Sequence, residues 1–305
     1  MKNNSFISCA TAALCLIPLL FIGCPDDREY LSDASEVAPP VVSFAVNAAG
    51  DAFESTTPGY TATVHDGGFE TVNGLKVFNT GGTVNNANAK KFTDDLNTVQ
   101  AASPQGDECP WAKGSIYWDH YENIGYVDLG AASGDLIASL GAFSIELYFC
   151  LPANAQSDRV GQYFFGFTDK VAPDNSLWLS WGNPSNTVIK KAGQEVRVAL
   201  NWEQSEANRG ERGQWHHLVF TANGTTVKVY LDGAEAMSGA AAWSANYFSA
   251  GTLNRNVLGG EVFANGIYDQ QLFNTKFHSF SIYDYALNAD QVMYNRLTGP
   301  LDALN

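Results

Sequence analysis

The chain has 305 residues, of which 12% are aromatic and 16% are charged, and it contains 28 glycines. This composition is too apolar for a disordered protein and too rich in glycine for a helical bundle. The formal net charge is −15 at pH 7, and a surface this acidic repels phosphate backbones. Nucleic acid is therefore not expected as a partner.

The first 23 residues have the pattern of a signal peptide. Lys2 gives a positive start, and the apolar run over residues 10–22 is too short to span a bilayer comfortably. The segment ends in Leu-Phe-Ile-Gly-Cys, which resembles a bacterial lipobox, with Cys24 as the residue that receives the lipid. Ordinary secretion after cleavage nearby is the alternative. The favoured interpretation is a lipoprotein of the bacterial outer membrane, on its surface or periplasmic face, which touches the membrane through the anchor alone.

Residues 24–40 are predicted to be an acidic tether, and residues 41–305 to be one folded domain. With Cys9 and Cys15 in the signal peptide and Cys24 lipidated, only two cysteines remain in an oxidising compartment. These two, Cys109 and Cys150, are candidates for one disulfide. The sequence leaves open whether their Cα atoms come close enough to pair.

From residue 41 onwards, short segments rich in Val, Ile, Phe, Tyr and Trp are separated by turn pairs such as Asn-Gly and Asp-Gly. One helix is predicted, because Asn288 is a good N-cap, Gln291 completes a capping box, and Gly299-Pro300 ends the segment. Many strands and one late helix predict an all-β fold, an antiparallel two-sheet jelly-roll sandwich with a short C-terminal helix. The predicted strands are VVSFAV, TVNGLKVF, IGYVDL, AFSIELYFCL, VGQYFFGF, SLWLSWG, NTVIKK, EVRVALNW, WHHLVFTA, TVKVYLDG, NRNVLGG and FHSFSIYDY.

The segment GQWHHLVFTANGTTVKVYLDG, residues 213–233, is predicted to be a β-hairpin. Asn223-Gly224 is the strongest short turn signal in it, because both turn positions tolerate positive φ. Side chains alternate across a strand, so His216 and His217 point to opposite faces of the sheet and cannot bind one metal together. We therefore interpret the two histidines as packing residues.

This hairpin resembles the central hairpin of the laminin-G-like, concanavalin A-like jelly rolls, with a Gly-x-Trp-His start and an apolar-Tyr-apolar-Asp-Gly end. FHSFSIYDYALNADQVMYNRL resembles the last strand and trailing helix of that family, and YENIGYVDLG and AFSIELYFCLP resemble its early strands. The resemblance runs from about Val41 to Leu297 and implies one domain. It implies little about function, because such sandwiches bind sugars, proteins or no known ligand.

Catalysis is not expected. Laminarinase-like glucanases share this architecture and carry E-x-D-x-x-E on one strand, whereas this sequence contains no E-x-D. The neighbours of Glu146 two residues away are Ser144 and Tyr148, so no second carboxylate shares its face of the strand. A lone carboxylate cannot both protonate a leaving group and attack the sugar. A glycoside hydrolase in which Glu146 pairs with Glu203 across strands is the alternative.

Calcium is the candidate metal. The resemblance implies a structural calcium near the turn after the first strand, where Asp51 and Glu54 supply hard oxygen ligands. The aspartate that the family has in its last strand is His278 here, and an imidazole is a poor ligand for calcium. No cofactor is therefore expected, and Asp51 and Glu54 are expected to be turn residues.

Sugar binding by a sandwich needs exposed aromatic rings beside polar groups. Four segments have this mix, namely WAKGSIYWDHY, SLWLSWGNPSN, VRVALNWEQ and AAAWSANYFSAG. The candidate ligand residues are Trp118, His120, Trp178, Arg197, Trp202 and Glu203.

The predicted function is therefore a lipid-anchored, non-catalytic module that binds a poly- or oligosaccharide at the cell envelope. An adhesion or scaffold protein is the alternative. In that case another protein would bind through the long inserts Thr93–Ser115 and Asn201–Gly213.

Overall fold

A computed structural model describes residues 37–84, 121–122, 125–152, 163–169, 174–180, 186–199, 213–262, 268–269 and 274–305. Residues 39–305 form one compact unit. The predicted signal peptide and most of the predicted tether lie outside the described residues, so the predicted boundaries stay predictions. None of the described helices has the length and apolar character needed to cross a membrane.

The described part of the chain consists mostly of short strands. In chain order they are β1 (Val42–Val46), β2 (Phe53–Ser55), β3 (Thr63–His65), β4 (Gly68–Val72), β5 (Leu75–Asn79), β6 (Thr83–Val84), β7 (Tyr121–Glu122), β8 (Tyr126–Asp128), β9 (Phe143–Cys150), β10 (Tyr163–Thr168), β11 (Ser176–Ser180), β12 (Asn186–Lys191), β13 (Gln194–Ala199), β14 (Trp215–Ala222), β15 (Thr226–Leu231), β16 (Ala234–Ala240), β17 (Arg255–Leu258), β18 (Glu261–Val262), β19 (Tyr268–Asp269) and β20 (Lys276–Tyr283). The helices are α1 (Gly130–Ser139), α2 (Ala289–Thr298) and α3 (Leu301–Leu304).

Most of these strands belong to two antiparallel sheets. The first sheet has the strand order β16-β15-β14-β9-β20-β1-β2, with β5 also paired to β20 and β4 to β5. The second sheet has the order β13-β12-β11-β10-β17-β8-β3, while β6-β7 and β18-β19 form two small ribbons. The first and last long strands are neighbours, because β1 pairs with β20 and the hydroxyls of Ser43 and Ser281 lie 2.8 Å apart. This arrangement confirms the predicted all-β jelly-roll sandwich.

One hydrophobic core lies between the two sheets. Phe165 of β10 in the second sheet lies edge-on to Phe220 of β14 at 5.9 Å and to Phe280 of β20 at 6.1 Å. Their side chains are fully buried, and complete burial of such a residue contributes about 1.5–3 kcal/mol. The contacts between these rings therefore join strands that are distant in sequence.

The predicted C-terminal helix is confirmed as α2. The Oδ1 atom of Asn288 accepts a hydrogen bond from the backbone N–H of Gln291 at 2.9 Å, and Gln291 Oε1 accepts one from the N–H of Asn288 at 3.0 Å. These two bonds form the complete capping box that the sequence predicts. Gly299 is the C-cap, as expected.

The outer face of the first sheet is covered by α2 and α3. Leu301 and Leu304 of α3 pack with Tyr148 and Trp215 in a second buried cluster. Asn305 accepts a hydrogen bond from the backbone N–H of Trp215 at 2.9 Å and donates one to its carbonyl at 3.3 Å. The central strands of the first sheet are therefore buried on both faces.

Several elements differ from the sequence prediction, since β2, β3, β6, β7, β16, β18, β19, α1 and α3 were not predicted. TVNGLKVF is not one strand but the hairpin β4–β5, because Asn73 and Gly74 take positive φ values of 47° and 86° and reverse the chain. Helix α1 was not predicted, since its small residues give no clear apolar period and its N-cap makes no side-chain hydrogen bond. Its position is instead set by close packing of Gly134 against the backbone of Leu253.

Candidate functional site

The two adjacent histidines lie on opposite faces of β14 and contact different carboxylates. His216 Nδ1 lies 2.6 Å from Asp232 Oδ2, and His217 Nε2 lies 2.6 Å from Glu146 Oε1. His217 is fully buried, and its ring stacks on Tyr148 at 4.8 Å. The prediction that the two rings cannot share one metal is confirmed.

Glu146 is at the centre of a buried polar network between the first sheet and α2. Its second oxygen, Oε2, accepts a hydrogen bond from the hydroxyl of Tyr283 at 2.6 Å. That hydroxyl accepts one from Asn295 Nδ2 at 3.0 Å, and the carbonyl of Asn295 accepts one from the Tyr148 hydroxyl at 3.0 Å. The network therefore joins β9, β14, β20 and α2.

The environment of Glu146 favours its charged form. Burial alone would raise the pKa of the carboxyl group, but the hydrogen bond and charge interaction with His217 and the hydrogen bond from Tyr283 outweigh it. The pKa of Glu146 consequently lies below its usual range. Burial, together with the negative charge of Glu146, raises the pKa of Tyr283 far above its usual value. Tyr283 is therefore a hydrogen-bond donor to a carboxylate at every physiological pH.

The outer face of the second sheet brings together two of the predicted ligand residues. In the strand register Trp178 of β11 lies opposite Val188 of β12, and Val188 lies opposite Arg197 of β13. The guanidinium carbon of Arg197 is 5.5 Å from the centre of the Trp178 ring, which is a cation–π distance. Tyr163 meets the same indole edge-on at 4.7 Å. We call these four residues the Trp178 cluster.

Exposure within the Trp178 cluster assigns different roles to its members. Trp178 is only 8% exposed, whereas the side chain of Arg197 is 46% exposed. Glu195 Oε1 accepts hydrogen bonds from Arg197 Nε at 3.0 Å and contacts Nη2 at 2.9 Å, which fixes the plane of the guanidinium. The sequence predicted that Trp178 is an exposed ring on which a sugar stacks. The structure shows instead that Trp178 is buried and supports Arg197.

A second aromatic pair on this outer face was missed by the sequence reasoning. His65 of β3 lies opposite Tyr126 of β8, and the two rings stack at 4.6 Å with 13° between their planes.

The predicted ligand residues Trp118, His120, Trp202 and Glu203 lie outside the described residues. Alternation along VGQYFFGF would have placed Tyr163 on the inner face with Phe165 and Phe167. The register shift between Tyr163 and Phe165 instead turns Tyr163 to the face of Trp178.

The candidate calcium ligands are joined by an amide. Asn47 Nδ2 donates to Asp51 Oδ1 at 2.9 Å and lies 3.0 Å from Glu54 Oε1. Asn47 Oδ1 in turn accepts from the backbone N–H groups of Gly50 and Asp51, which is a turn-stabilising arrangement. In the described part of the chain, no group of three His, Cys, Asp or Glu side chains is placed to hold a metal ion. Calcium binding by Asp51 and Glu54 stays a prediction.

The predicted covalent sites lie mostly beyond what the structure describes. Cys150 is buried and packs with Trp215 and α3, and burial raises the pKa of its thiol. Cys109, its candidate partner, and Cys24, the candidate lipidation site, lie outside the described residues. The disulfide and the lipid therefore stay predictions.

Comparison with known proteins supports the fold. Domain 4 of AbnA, an extracellular arabinanase from Geobacillus stearothermophilus solved in complex with arabinotriose, matches with a TM-score of 0.51 at 15% identity. The match covers 85% of this chain and 98% of that domain. The botulinum neurotoxin serotype D binding domain has a TM-score of 0.52 at 11% identity, with 86% of this chain and 52% of that domain covered. The serotype C1 binding domain has a TM-score of 0.51 at 14% identity, with 85% of this chain and 52% of that domain covered. The chain thus spans about half the length of these toxin domains.

A search of curated proteins found no match. A laminin G family model, described as the concanavalin A-like lectin/glucanases superfamily, matches residues 123–293, which is more than half of the chain. The match runs from β8 to the start of α2 and includes strands of both sheets. It confirms the resemblance that the hairpin and the last strand predict. The chain therefore belongs to the concanavalin A-like lectin/glucanase superfamily.

Proposed function

We propose that this protein is a lipid-anchored module without catalytic activity that binds carbohydrate at the bacterial cell envelope. The observation that carries this proposal is the Trp178 cluster, in which buried aromatic rings hold a half-exposed guanidinium on the outer face of the second sheet. The arabinanase domain with the same fold was solved with a bound arabino-oligosaccharide. That ligand belongs to the neighbour, and it supports carbohydrate as the class of ligand proposed for this chain.

The chemistry of the Trp178 cluster suits a sugar. Arg197 presents N–H donors in a fixed plane, and Glu195 beside it supplies acceptors, so the pair matches adjacent hydroxyl groups. Glu146 cannot add catalysis at this face, because it belongs to the first sheet and both of its oxygens are engaged beneath α2. Binding without bond cleavage is therefore the function that this arrangement supports best.

A glycan array probed with the full-length protein tests this proposal. We expect binding to at least one plant, microbial or host polysaccharide, and we expect Arg197→Ala to weaken it about ten-fold, because charged hydrogen bonds are lost. Arg296→Ala on α2 is the matched control and should bind like the wild type. No binding to any polysaccharide, or equal affinity of the Arg197→Ala variant, would contradict the proposal.

Anchoring is a separate part of the proposal. The sequence Leu-Phe-Ile-Gly-Cys supports it, with Cys24 as the acylated residue. Intact-mass analysis of protein purified from membranes should show a chain that begins at Cys24 and carries acyl groups. Cys24→Ser should release the protein into the soluble fraction. An unmodified chain with a different first residue would mean ordinary secretion.

A further inference from the structure

The strand β13 is an edge with an exposed apolar side chain. Among the described strands it pairs with β12 alone and ends the second sheet. Five of its six residues are exposed, and Val196, at 40%, is the exposed large hydrophobic residue of the described chain. Exposed edges of this kind pair with further strands unless the chain blocks them.

Charge patterning on β13 selects one kind of partner. Glu195 and Arg197 flank Val196 on the opposite side of the strand. Antiparallel pairing of two copies, centred on Val196, places each Glu195 opposite Arg197 of the second copy and brings the two valines together. In-register parallel pairing would set glutamate against glutamate and arginine against arginine, which is destabilising.

We propose that β13 pairs antiparallel with β13 of a second copy of this chain, in the register centred on Val196. The pairing would give a homodimer with one continuous sheet. Gly239 of β16 lies against Val198, so β16 packs on β13 without pairing with it. Stable interfaces bury about 1,200–2,000 Å² in total, and a six-residue strand offers less. The dimer is accordingly of the weak, transient class.

Disulfide crosslinking of the full-length protein tests this register. Opposite residues of antiparallel strands have Cα atoms about 4.5–5.5 Å apart, which is within the range that a disulfide bridges. Val196→Cys should therefore give a covalent dimer on a non-reducing gel under mild oxidation. Ala199→Cys is the matched control, because the two substituted residues would be about 20 Å apart in this register. The wild-type chain, oxidised in the same way, shows how much covalent dimer the natural cysteines form.

Charge exchange gives a second test on the Val196→Cys background. Glu195→Arg alone should lower the dimer yield about five-fold, because it sets like charges opposite each other twice. Adding Arg197→Glu should restore the yield. Thermal unfolding of each variant confirms that it is folded, and Glu70→Arg, which breaks the exposed pair with Lys276 elsewhere, should leave the yield unchanged. Equal crosslinking at positions 196 and 199, or no recovery in the exchanged pair, would overturn the proposal.

Discussion

We expect His217→Ala to lower the free energy of unfolding by about 3–5 kcal/mol. The substitution removes the partner of Glu146 Oε1, which lies 2.6 Å from the ring in a site that is only 6% exposed. Removing one member of a buried pair leaves an uncompensated charge in a low dielectric, and this costs more than the pair itself contributes. Urea denaturation followed by circular dichroism measures the change.

The matched control is His65→Ala, since His65 also stacks on a tyrosine but contacts no carboxylate in the described residues. We expect the control to cost about 1 kcal/mol or less. A double-mutant cycle with Glu146→Gln then isolates the coupling between the two side chains. If His217→Ala is no more destabilising than His65→Ala, the pair does not stabilise the fold.

The same network predicts a loss of stability in acid. Because the pKa of Glu146 is lowered in the folded state, its contribution is fully present above its ordinary pKa of 4.5 and is lost as the pH falls through the folded pKa. The pKa of Asp232 is lowered as well, since its hydrogen bonds from His216 and His217 outweigh the effect of burial, and it acts in the same direction. Below about pH 4.5 the wild type should therefore lose stability more steeply than Glu146→Gln.

Gly134→Ala is expected to lower the free energy of unfolding by about 2 kcal/mol. In an unconstrained helix this change stabilises by about 0.5–1 kcal/mol. Here a Cβ atom would overlap the carbonyl oxygen of Leu253 and lie 2.6 Å from Asn256 Nδ2. That amide already donates to the Gly130 carbonyl at 2.8 Å, so it cannot move without losing a buried hydrogen bond. Forced overpacking costs about 1–3 kcal/mol and outweighs the helix propensity.

Ala132→Gly is the matched control in the same helix. Ala132 is exposed, so only the intrinsic preference for helix changes, and we expect a loss of about 0.5–1 kcal/mol. Urea denaturation of both variants decides between packing and propensity. A Gly134→Ala protein that is as stable as the wild type would show that α1 moves away from β17 at little cost.

Features set by local pattern were predictable from the sequence. Alternation along β14 placed His216 and His217 on opposite faces, and the spacing of Asn288 and Gln291 predicted a capping box that the structure contains. Contacts between distant segments were not predictable. Nothing near Glu146 indicates that its partner is 71 residues away, because the pairing depends on which strands become neighbours.

The candidate site was predictable only in part, again because contacts between distant segments cannot be read from the sequence. Trp178 and Arg197 were both identified by residue type and flanking polarity, and successive hairpins bring them together. Which of the two side chains is accessible could not be read from the sequence. Accessibility depends on the contact of Tyr163 with Trp178 and on that of Glu195 with Arg197, and both arise only in the folded sheet.

The first strand of the sandwich, β1, pairs with its last strand, β20, so each holds the other in place. The chain must be synthesised as far as β20 before β1 can pair with it, so the first sheet is completed late. Contacts that span so much sequence also slow folding.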